Sequence, residues 1–270
     1  MKIRESVVNN SYFCTMKKFL LKLYYYPLLS PEQTNAHQKR ARDCEWEAIE
    51  PYIKQGTFLD VGCGAGYSMF KAQRIGCEVY GIDPDPQGHG VGRRKSEYTV
   101  PVENIAQGFS EQLPYENNQF NTVYSSHVLE HVTNMQQSLL EIKRVCKADG
   151  IIIIGVPTAT MAWINWITQL VFTTHQKIVN TLFSPFINTG KTFWWEIFVP
   201  RSHSYPNKKT VIADICNYST KKWKTHIEKE FEIQTIIKPC IYPYPEYRQL
   251  FKIQKNKRFS SSVFFVCIQK

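Results

Sequence analysis

Short apolar runs recur along the chain at lengths that suit the strands of one sheet. The run at 151–156, Ile-Ile-Ile-Ile-Gly-Val, is apolar throughout, which predicts a strand that is covered on both faces. The run at 231–237 alternates apolar and polar residues, as is typical of a strand. Strands are predicted at 58–61, 78–82, 100–106, 120–125, 151–156, 231–237 and 262–268.

Segments with apolar residues three and four positions apart separate these strands and predict helices. The predicted helices cover 32–54, 66–75, 134–146 and 219–230. A break before Pro51 is kept open for the first of them. Asn134 and Ser219 are suited to capping the last two, and Gly150 is expected to close the helix that Asn134 begins. Strands that alternate with helices predict an α/β fold with a doubly wound, mostly parallel sheet and right-handed crossovers.

The junction between the first predicted strand and the helix after it is rich in glycine. Residues 58–66 are Phe-Leu-Asp-Val-Gly-Cys-Gly-Ala-Gly, and Asp83 ends the next predicted strand. Glycines let such a loop take dihedral angles that other residues avoid, and they let a ligand approach the backbone. An acid at the tip of the neighbouring strand can hold a ribose diol through charge-assisted hydrogen bonds. The two features together predict a nucleotide-type cofactor site.

The spacing of the glycines separates two classes of cofactor. A dinucleotide fold uses Gly-x-Gly-x-x-Gly, whereas residues 60–66 are Asp-x-Gly-x-Gly-x-Gly. This stretch, followed by Gly-Ile-Asp at 81–83, resembles the first two motifs of the class I S-adenosylmethionine-dependent methyltransferases. The resemblance covers roughly residues 45–157 and 218–270. It implies a Rossmann-like sheet of seven strands whose last strand is inserted antiparallel.

Two further stretches resemble the ubiquinone- and menaquinone-biosynthesis branch of that family. Residues 125–132 match its Ser-x-x-Val-Leu-Glu-His-Val pattern, and residues 108–115 are similar to its Gly-Asp-Ala-Glu-x-Leu-Pro-Phe segment. In the second stretch the family commonly has an acid that meets the adenine amino group, but this chain has Phe109 there. Ser110, Glu111 or backbone groups would have to replace that contact, with Phe109 offering an apolar face to the base.

The resemblance implies a set of cofactor-binding residues for S-adenosylmethionine. The glycine loop would pass beneath the methionine and ribose, and Asp83 would bind the ribose hydroxyls. Asp60 would order the loop or meet the amino group, and Ser125 would lie next to the methionine part. The implied cofactor-binding residues are Asp60, Gly62, Gly64, Gly66, Asp83, Pro84, Phe109, Ser110, Glu111 and Ser125.

Two histidines are candidates for a catalytic base because imidazole titrates near neutral pH. His127 lies near the tip of the fourth predicted strand. His203 lies in a stretch that looks distantly like a Pro-x-His-x-x-Tyr/Phe segment of related enzymes, where the histidine faces the substrate. His131, one turn into the following helix, is instead expected to orient Glu130 or backbone groups. Structural roles stay open for the two candidates as well, with capping of the next helix as the alternative for His203.

The segment after Pro157 is unusually rich in aromatic and aliphatic residues at helical spacing. Trp163, Trp166, Phe172 and Trp194 are among them. Such a stripe is often part of a core. An insertion after the fifth strand also lies at the edge of the sheet where open α/β folds bind ligands. Two functions are therefore kept open for this segment: lining an apolar substrate pocket, or facing a membrane surface.

Composition and charge narrow the class of protein. The 270 residues are 43% hydrophobic, which is ample for a packed core. The eight cysteines are scattered with no Cys-x-x-Cys pair, so we expect no metal and a reducing compartment.

The formal charge is +10, and residues 191–270 carry 15 Lys and Arg against 6 Asp and Glu. This basic region suits nucleic acid, anionic lipid or an acidic substrate, or is simply a solvated face.

The chain is expected to have four parts. Residues 1–56 would form an N-terminal helical lid or lead-in, in which residues 16–26 are amphipathic rather than a secretion signal. Residues 57–157 would bind the cofactor, 158–217 would form a helical insertion on the substrate side, and 218–270 would complete the sheet. No apolar run reaches the roughly 18–20 residues that span a bilayer, so a cytoplasmic location is expected, with peripheral membrane contact kept open.

Three functions are weighed for this chain. The favoured one is S-adenosylmethionine-dependent methylation of a small or lipid-like acceptor, with a hydroxyl as the preferred group and S-adenosylhomocysteine as the product. Methylation of RNA or protein is the second, although nucleic acid is not the expected partner. The third is a non-catalytic membrane-surface module that retains the cofactor fold.

Overall fold

The computed structural model describes residues 2–86, 88, 100, 102–183, 198–199, 202, 210–243, 246–256 and 258–270. The strands are β1 Thr57–Val61, β2 Glu78–Asp83, β3 Ile105–Gln107, β4 Phe120–Ser126, β5 Cys146–Pro157, β6 Phe231–Ile237, β7 Cys240–Ile241, β8 Gln254–Lys255 and β9 Ser262–Gln269. Seven of them form one sheet in the order β3-β2-β1-β4-β5-β9-β6. β9 pairs antiparallel with both β5 and β6, whereas the other pairs in this sheet are parallel. The predicted fold class is confirmed.

The helices that the structure describes flank this sheet. They are α1 Lys2–Tyr25, α2 Pro31–Ile49, α3 Tyr67–Arg74, α4 Met135–Val145, α5 Ala159–Phe183, α6 Val211–Asn217 and α7 Thr220–Ile227. Ser219 caps α7 as predicted, since its side chain accepts a hydrogen bond from the backbone N–H of Lys222. α2 ends at Ile49 and a short 3₁₀ turn at Glu50–Tyr52 follows, so the predicted helix is broken before Pro51, which was the alternative kept open.

The prediction that Gly150 closes the helix that Asn134 begins is wrong. Asn134 caps α4 as expected, but the chain leaves the helix at Cys146, whose backbone is extended at φ −76° and ψ 140°. Cys146 already pairs with Phe120 of β4, and an irregularity follows before the regular pairing of Thr122 with Ile151. The strand pairing therefore ends the helix earlier than the glycine signal indicated, and Gly150 lies inside β5.

Apolar side chains cover both faces of the sheet. One buried cluster joins β4, β5 and β9 to α4 and α7 through residues such as Leu139, Ile154 and Trp223. A second cluster joins the sheet to α2 and α3 through Trp46, Phe58 and Met69. These two layers fix α2 and α3 on the sheet, so the residues that connect strands to helices are held firmly at its edge.

α1 and α5 form a helical pair next to this core. Leu20 of α1 and Val179 of α5 are buried together, and His175 of α5 makes a hydrogen bond to the carbonyl oxygen of Leu23 at 3.0 Å. Sequence patterns did not predict α6 or the two-stranded pair of β7 and β8, which are only seven and two residues long. None of the helices that the structure describes has both the length and the apolar character needed to cross a bilayer.

Candidate cofactor site

The register of three parallel strands brings the predicted cofactor residues to one edge of the sheet. Val61, the last residue of β1, pairs with Ile82 of β2 on one side and with Ser125 of β4 on the other. Asp83 ends β2, one residue beyond that pairing. The glycine loop therefore leaves β1 between Asp83 and Ser125, as the sequence predicted.

The glycine loop has a backbone that other residues would not adopt. Gly62, Gly64 and Gly66 all have positive φ, at 81°, 52° and 81°. A Cβ atom on Gly62 would also lie 2.1 Å from Cγ2 of Val128, so a side chain there meets both strain and a clash. Gly66 directly precedes α3. The loop thus turns sharply from the strand into the helix and leaves its backbone open to close approach.

Asp83 fixes the loop from the neighbouring strand. Its Oδ2 accepts a hydrogen bond from the N–H of Gly64 at 2.9 Å, and its Oδ1 accepts one from the N–H of Asp85 at 2.8 Å. The N–H of Gly62 donates to the carbonyl oxygen of Ile82 at 2.7 Å. The Asp83 carboxylate is therefore buried and held in one orientation at the tip of β2.

Asp60 lies at the base of the loop and has an unusual charge state. Burial and the nearby Asp83 carboxylate raise the pKa of Asp60 to about 8, although a hydrogen bond from Ser68 opposes the shift. Cys63 and Tyr124 face the same carboxyl group, and burial together with Asp60 raises the pKa of each. Asp60 therefore holds a proton at neutral pH. A cation placed here would stabilise its ionised form.

The stretch that was expected to meet the adenine has mixed surroundings. Phe109 is 65% exposed, and the N–H of neighbouring Gly108 donates to the carbonyl oxygen of Asp83 at 3.1 Å. Ser110 instead contacts the hydroxyl of Ser138 in α4 at 2.9 Å. The Glu111 carboxylate accepts hydrogen bonds from the backbone N–H groups of Thr133 and Asn134, which directly precede α4. Phe109 is therefore the side chain of these three that faces outward beside Asp83.

Pro84 and Ser125 complete the edge on either side of the loop. Pro84 is exposed directly after Asp83, and its carbonyl oxygen accepts a hydrogen bond from Gln107 at 3.0 Å. Within the described part of the chain, the buried hydroxyl of Ser125 has no hydrogen-bond partner. A buried polar group of this kind costs free energy unless a ligand or water satisfies it. Its position next to the loop suits a polar ligand that lies across the strand ends.

His127 follows β4 in a strained backbone conformation and lies between two buried carboxylates. Its φ is 57°, which is uncommon for a residue other than glycine. Its Nδ1 is 3.4 Å from Oε1 of Glu130, and its Nε2 is 3.8 Å from Oε1 of Glu45. Burial and Arg42 lower the pKa of His127, but the two carboxylates outweigh them and raise it above 6.5. These surroundings favour the protonated imidazolium.

Glu45 of α2 is the residue of this region that sequence patterns missed. It is 1% exposed, and it accepts hydrogen bonds from Arg42, from Ser262 of β9 and from the Tyr242 hydroxyl at 3.1 Å. Burial alone would raise its pKa, but Arg42, His127 and Ser262 lower it to about 2. The sequence spacing could have predicted that Glu45 is buried. Glu45 falls four residues after Ala41 and four before Ile49, on the buried face of the helix.

A second contact joins α2 to the start of α3. The hydroxyl of Tyr67 donates to Asp43, and Nζ of Lys71 lies 2.7 Å from Oδ1 of the same carboxylate. α2 is therefore the part of the N-terminal segment that lies against the glycine loop and its helix. α1 instead packs against α5.

Two sequence predictions concern groups away from this edge of the sheet: His203 as a candidate base, and the expectation of no metal. His203 lies outside the described residues. Across the part of the chain that the structure describes, no three or more His, Cys, Asp or Glu side chains are grouped so that they could hold a metal ion.

The strand order and the glycine loop together define a class of protein. A seven-stranded sheet with one antiparallel strand near its edge, and a glycine loop facing an acid on the next strand, is the class I methyltransferase fold. An S-adenosylmethionine-dependent methyltransferase from Thermotoga maritima has the same fold, with a TM-score of 0.55 and 15% identity over 93% of this chain and 98% of that one.

Sequence comparison supports the same assignment for one segment of the chain. Residues 59–154 match the family model described as a methyltransferase domain, and this match includes the glycine loop, Asp83 and His127. This segment, about a third of the chain, is therefore similar to methyltransferase domains.

Curated relatives match only part of this chain. An uncharacterized protein of Methanocaldococcus jannaschii is 31% identical over 154 residues, which cover 57% of each chain. A tRNA U34 carboxymethyltransferase of Shewanella oneidensis is 34% identical over 116 residues, which cover 40% of this chain and 34% of that protein. The chain therefore spans between about a third and just over half the length of these relatives.

Changing Glu45 to Gln is expected to destabilise the protein by about 3–5 kcal/mol at pH 7, because Arg42 and His127 lose a buried partner. The folded-state pKa of Glu45 lies below its ordinary value of 4.5, so its stabilisation is complete above that pH and is lost as the pH falls toward 2. Urea unfolding of both proteins at several pH values would measure the difference.

Glu47 to Gln is the matched control on the same helix. Glu47 is exposed and pairs with Lys255 at 2.9 Å, so its loss should cost less than about 1 kcal/mol. Equal destabilisation by the two substitutions would show that the buried charges around His127 do not stabilise the fold.

Proposed function

We propose that this protein transfers a methyl group from S-adenosylmethionine to a hydroxyl group on a small or lipid-like acceptor. The observation that carries the cofactor assignment is the left-handed glycine loop between β1 and α3, which Asp83 at the end of β2 holds in place within the matched domain. When bound, the cofactor supplies an electrophilic methyl group on a sulfonium ion. The residues around it align the acceptor and exclude water.

The residues at the strand edge fit such a cofactor. The loop of Gly62, Gly64 and Gly66 allows a ligand to lie against the backbone, and the buried Ser125 hydroxyl needs a polar partner. We assign the ribose hydroxyls to Asp83, which is held at the tip of β2. The exposed Phe109 side chain, beside Asp83, offers an apolar face for the adenine. Pro84, which directly follows Asp83, is assigned to the edge of the same binding site. Ser110 and Glu111 support this stretch through α4 rather than by direct contact.

Asp60 is assigned to the positively charged end of the cofactor. Burial and the neighbouring Asp83 carboxylate raise the pKa of Asp60 to about 8. The ammonium group of the amino-acid part is a cation that would lower it. Its binding would favour release of the Asp60 proton, because its positive charge offsets both the burial and the repulsion between the two carboxylates that result.

His127 is assigned to positioning on the acceptor side rather than to proton removal. A histidine whose pKa is raised by two carboxylates is more often protonated at neutral pH, so a smaller fraction of it is free to accept the proton from a hydroxyl. Its imidazolium instead holds Glu45 and Glu130 next to the end of β4. His203 remains the proposed catalytic base.

The acceptor class rests on the region after β5. α5 begins two residues beyond that strand and carries a series of aromatic and aliphatic residues. Such an element near the carboxyl ends of parallel strands suits an apolar substrate. A cytoplasmic setting with peripheral membrane contact is proposed with it, and the eight free cysteines agree with a reducing compartment.

Methylation of RNA is the second candidate, and a specific observation favours it. Several curated relatives over the domain are tRNA U34 carboxymethyltransferases. The basic charge of residues 191–270 could also neutralise phosphates. The shared segment covers only 40% of this chain and 34% of that relative, however.

Changing Asp83 to Ala should weaken S-adenosylhomocysteine binding by about 30- to 150-fold, because charged hydrogen bonds worth about 2–3 kcal/mol are lost. Isothermal titration calorimetry would measure this change. Asp85 to Ala is the control, since only the backbone N–H of Asp85 contacts Asp83. Wild-type affinity in the Asp83 variant would contradict the ribose assignment.

Binding of S-adenosylhomocysteine should strengthen by at least about tenfold between pH 6 and pH 8. The reason is that Asp60 ionises with a pKa of about 8 and the ligand ammonium favours its charged form. Calorimetry in buffers of different ionisation enthalpy should detect proton release at pH 7. Asp60 to Asn should abolish both effects, and a pH dependence that survives this change would exclude Asp60 as the ammonium contact.

The acceptor class can be tested by following methyl transfer to a lipid extract and to total tRNA in parallel. We expect S-adenosylhomocysteine to form with the lipid fraction, and the Asp83 to Ala variant serves as the inactive control. Methylated tRNA, together with binding that falls steeply with salt, would establish the RNA alternative instead. Tight cofactor binding without turnover on either acceptor would support a non-catalytic module.

A further inference from the structure

α5 exposes a stripe of large apolar residues along most of its length. The exposed stripe consists of Trp163, Ile167, Val171, Ile178 and Leu182, which are between 48% and 66% exposed. These residues follow one another at intervals of four, four, seven and four, so they fall within about 100° of the helix circumference. Ala162, Asn165, Thr168 and Val179 are buried on the opposite side. The stripe is therefore the outer face of a helix whose inner face is packed.

The outer face of α5 carries no charged side chain. The other exposed residues of this helix are Thr174 and Thr181, and the Thr174 hydroxyl donates to the carbonyl oxygen of Leu170 at 2.6 Å. Lys177 is the single lysine among residues 159–183, which contain no aspartate or glutamate. An exposed helical face without charges is unusual for a surface in water and marks an interaction site.

The segment of α1 that packs against α5 is positively charged. α1 packs against the C-terminal half of α5 through Leu20, Val179 and Phe183. It exposes Lys17, Lys18 and Lys22, and residues 14–26 contain no acidic residue. The helical pair thus combines an apolar stripe with four lysines and no carboxylate in these two segments.

We propose that the exposed stripe and the lysines of α1 dock this protein onto an anionic lipid bilayer, with α5 lying in the plane of the surface. The apolar residues would enter the boundary between headgroups and acyl chains, and the lysines would pair with anionic headgroups. Trp163 stacks on Trp166 with ring centroids 5.1 Å apart, and tryptophan favours this boundary. The proposal deepens the peripheral membrane contact suggested above and names the surface and the lipid charge.

A bilayer fits this surface better than a second copy of the chain does. A symmetric dimer through the same face would bring two sets of lysines together without any acid to pair with them, and like charges oppose such an interface. An anionic membrane supplies both an apolar layer and the opposite charge. The position of α5 directly after β5 would then bring the site edge close to an acceptor held in the membrane.

Co-sedimentation with lipid vesicles tests the proposal on the full chain. Wild-type protein should sediment with vesicles of phosphatidylcholine mixed with phosphatidylglycerol, and far less with phosphatidylcholine alone. The double substitution Ile167→Glu and Val171→Glu should reduce partitioning by at least about tenfold, since it places charge on the stripe. Replacing Lys17, Lys18 and Lys22 by Gln should cause a similar loss at low salt and little change at high salt.

Leu140→Glu is the matched control. Leu140 is 42% exposed on α4, which packs on the sheet, so this substitution should leave partitioning unchanged. Circular dichroism and S-adenosylhomocysteine affinity would show that each variant is folded, and they keep this test separate from methyl transfer. A protein that binds the cofactor but not vesicles would overturn the membrane proposal and leave the methyltransferase assignment intact.

Two other results would also overturn the proposal. Vesicle binding that the stripe substitutions do not reduce would place the contact on another basic surface. A wild-type dimer seen by light scattering, converted to monomer by Ile167→Glu and Val171→Glu and without affinity for vesicles, would assign the stripe to a second copy of the chain.

Discussion

The parallel pairing of β1 with both β2 and β4 is the constraint on which the rest of the site depends. Because Val61 pairs with Ile82 and Ser125 in the same row, three chain segments end together at one edge. The glycine loop can then receive Asp83 from one side and lie beside Ser125 on the other. Local sequence forms each part, but only this register brings them within reach of one ligand.

Buried carboxylates are the second organising feature. Burial raises the pKa of Asp60 and of Glu45 alike, but their neighbours shift the two values in opposite directions. For Asp60, the Asp83 carboxylate adds to the effect of burial, and its pKa is about 8. Glu45 and Glu130 lie close to Arg42 and His127, so the carboxylates stay ionised. The first arrangement favours a positively charged ligand. The second ties α2 to β4 and β9, although Nε2 of His127 and both carboxylate oxygens of Glu130 have no hydrogen-bond partner among the described residues.

Sequence patterns predicted most of the fold because strand and helix periods are local. The glycine loop, Asp83 and the caps at Asn134 and Ser219 depend on residues a few positions apart. The errors came where distant segments meet. Pairing of Cys146 with β4 ended α4 before Gly150, and Glu45 became a buried ion because Tyr242 and Ser262 arrive from the far end of the chain.

The sequence by itself determined the class of fold and the residues of the cofactor loop, since these follow from short-range patterns and backbone conformation. Only the tertiary structure decided which of those residues carry charge. A pKa depends on burial and on neighbours that are remote in sequence, as the opposite shifts of Asp60 and Glu45 show. The same holds for α5. Its apolar residues were evident along the chain, but packing against α1 and the core decided which of them remain on the surface.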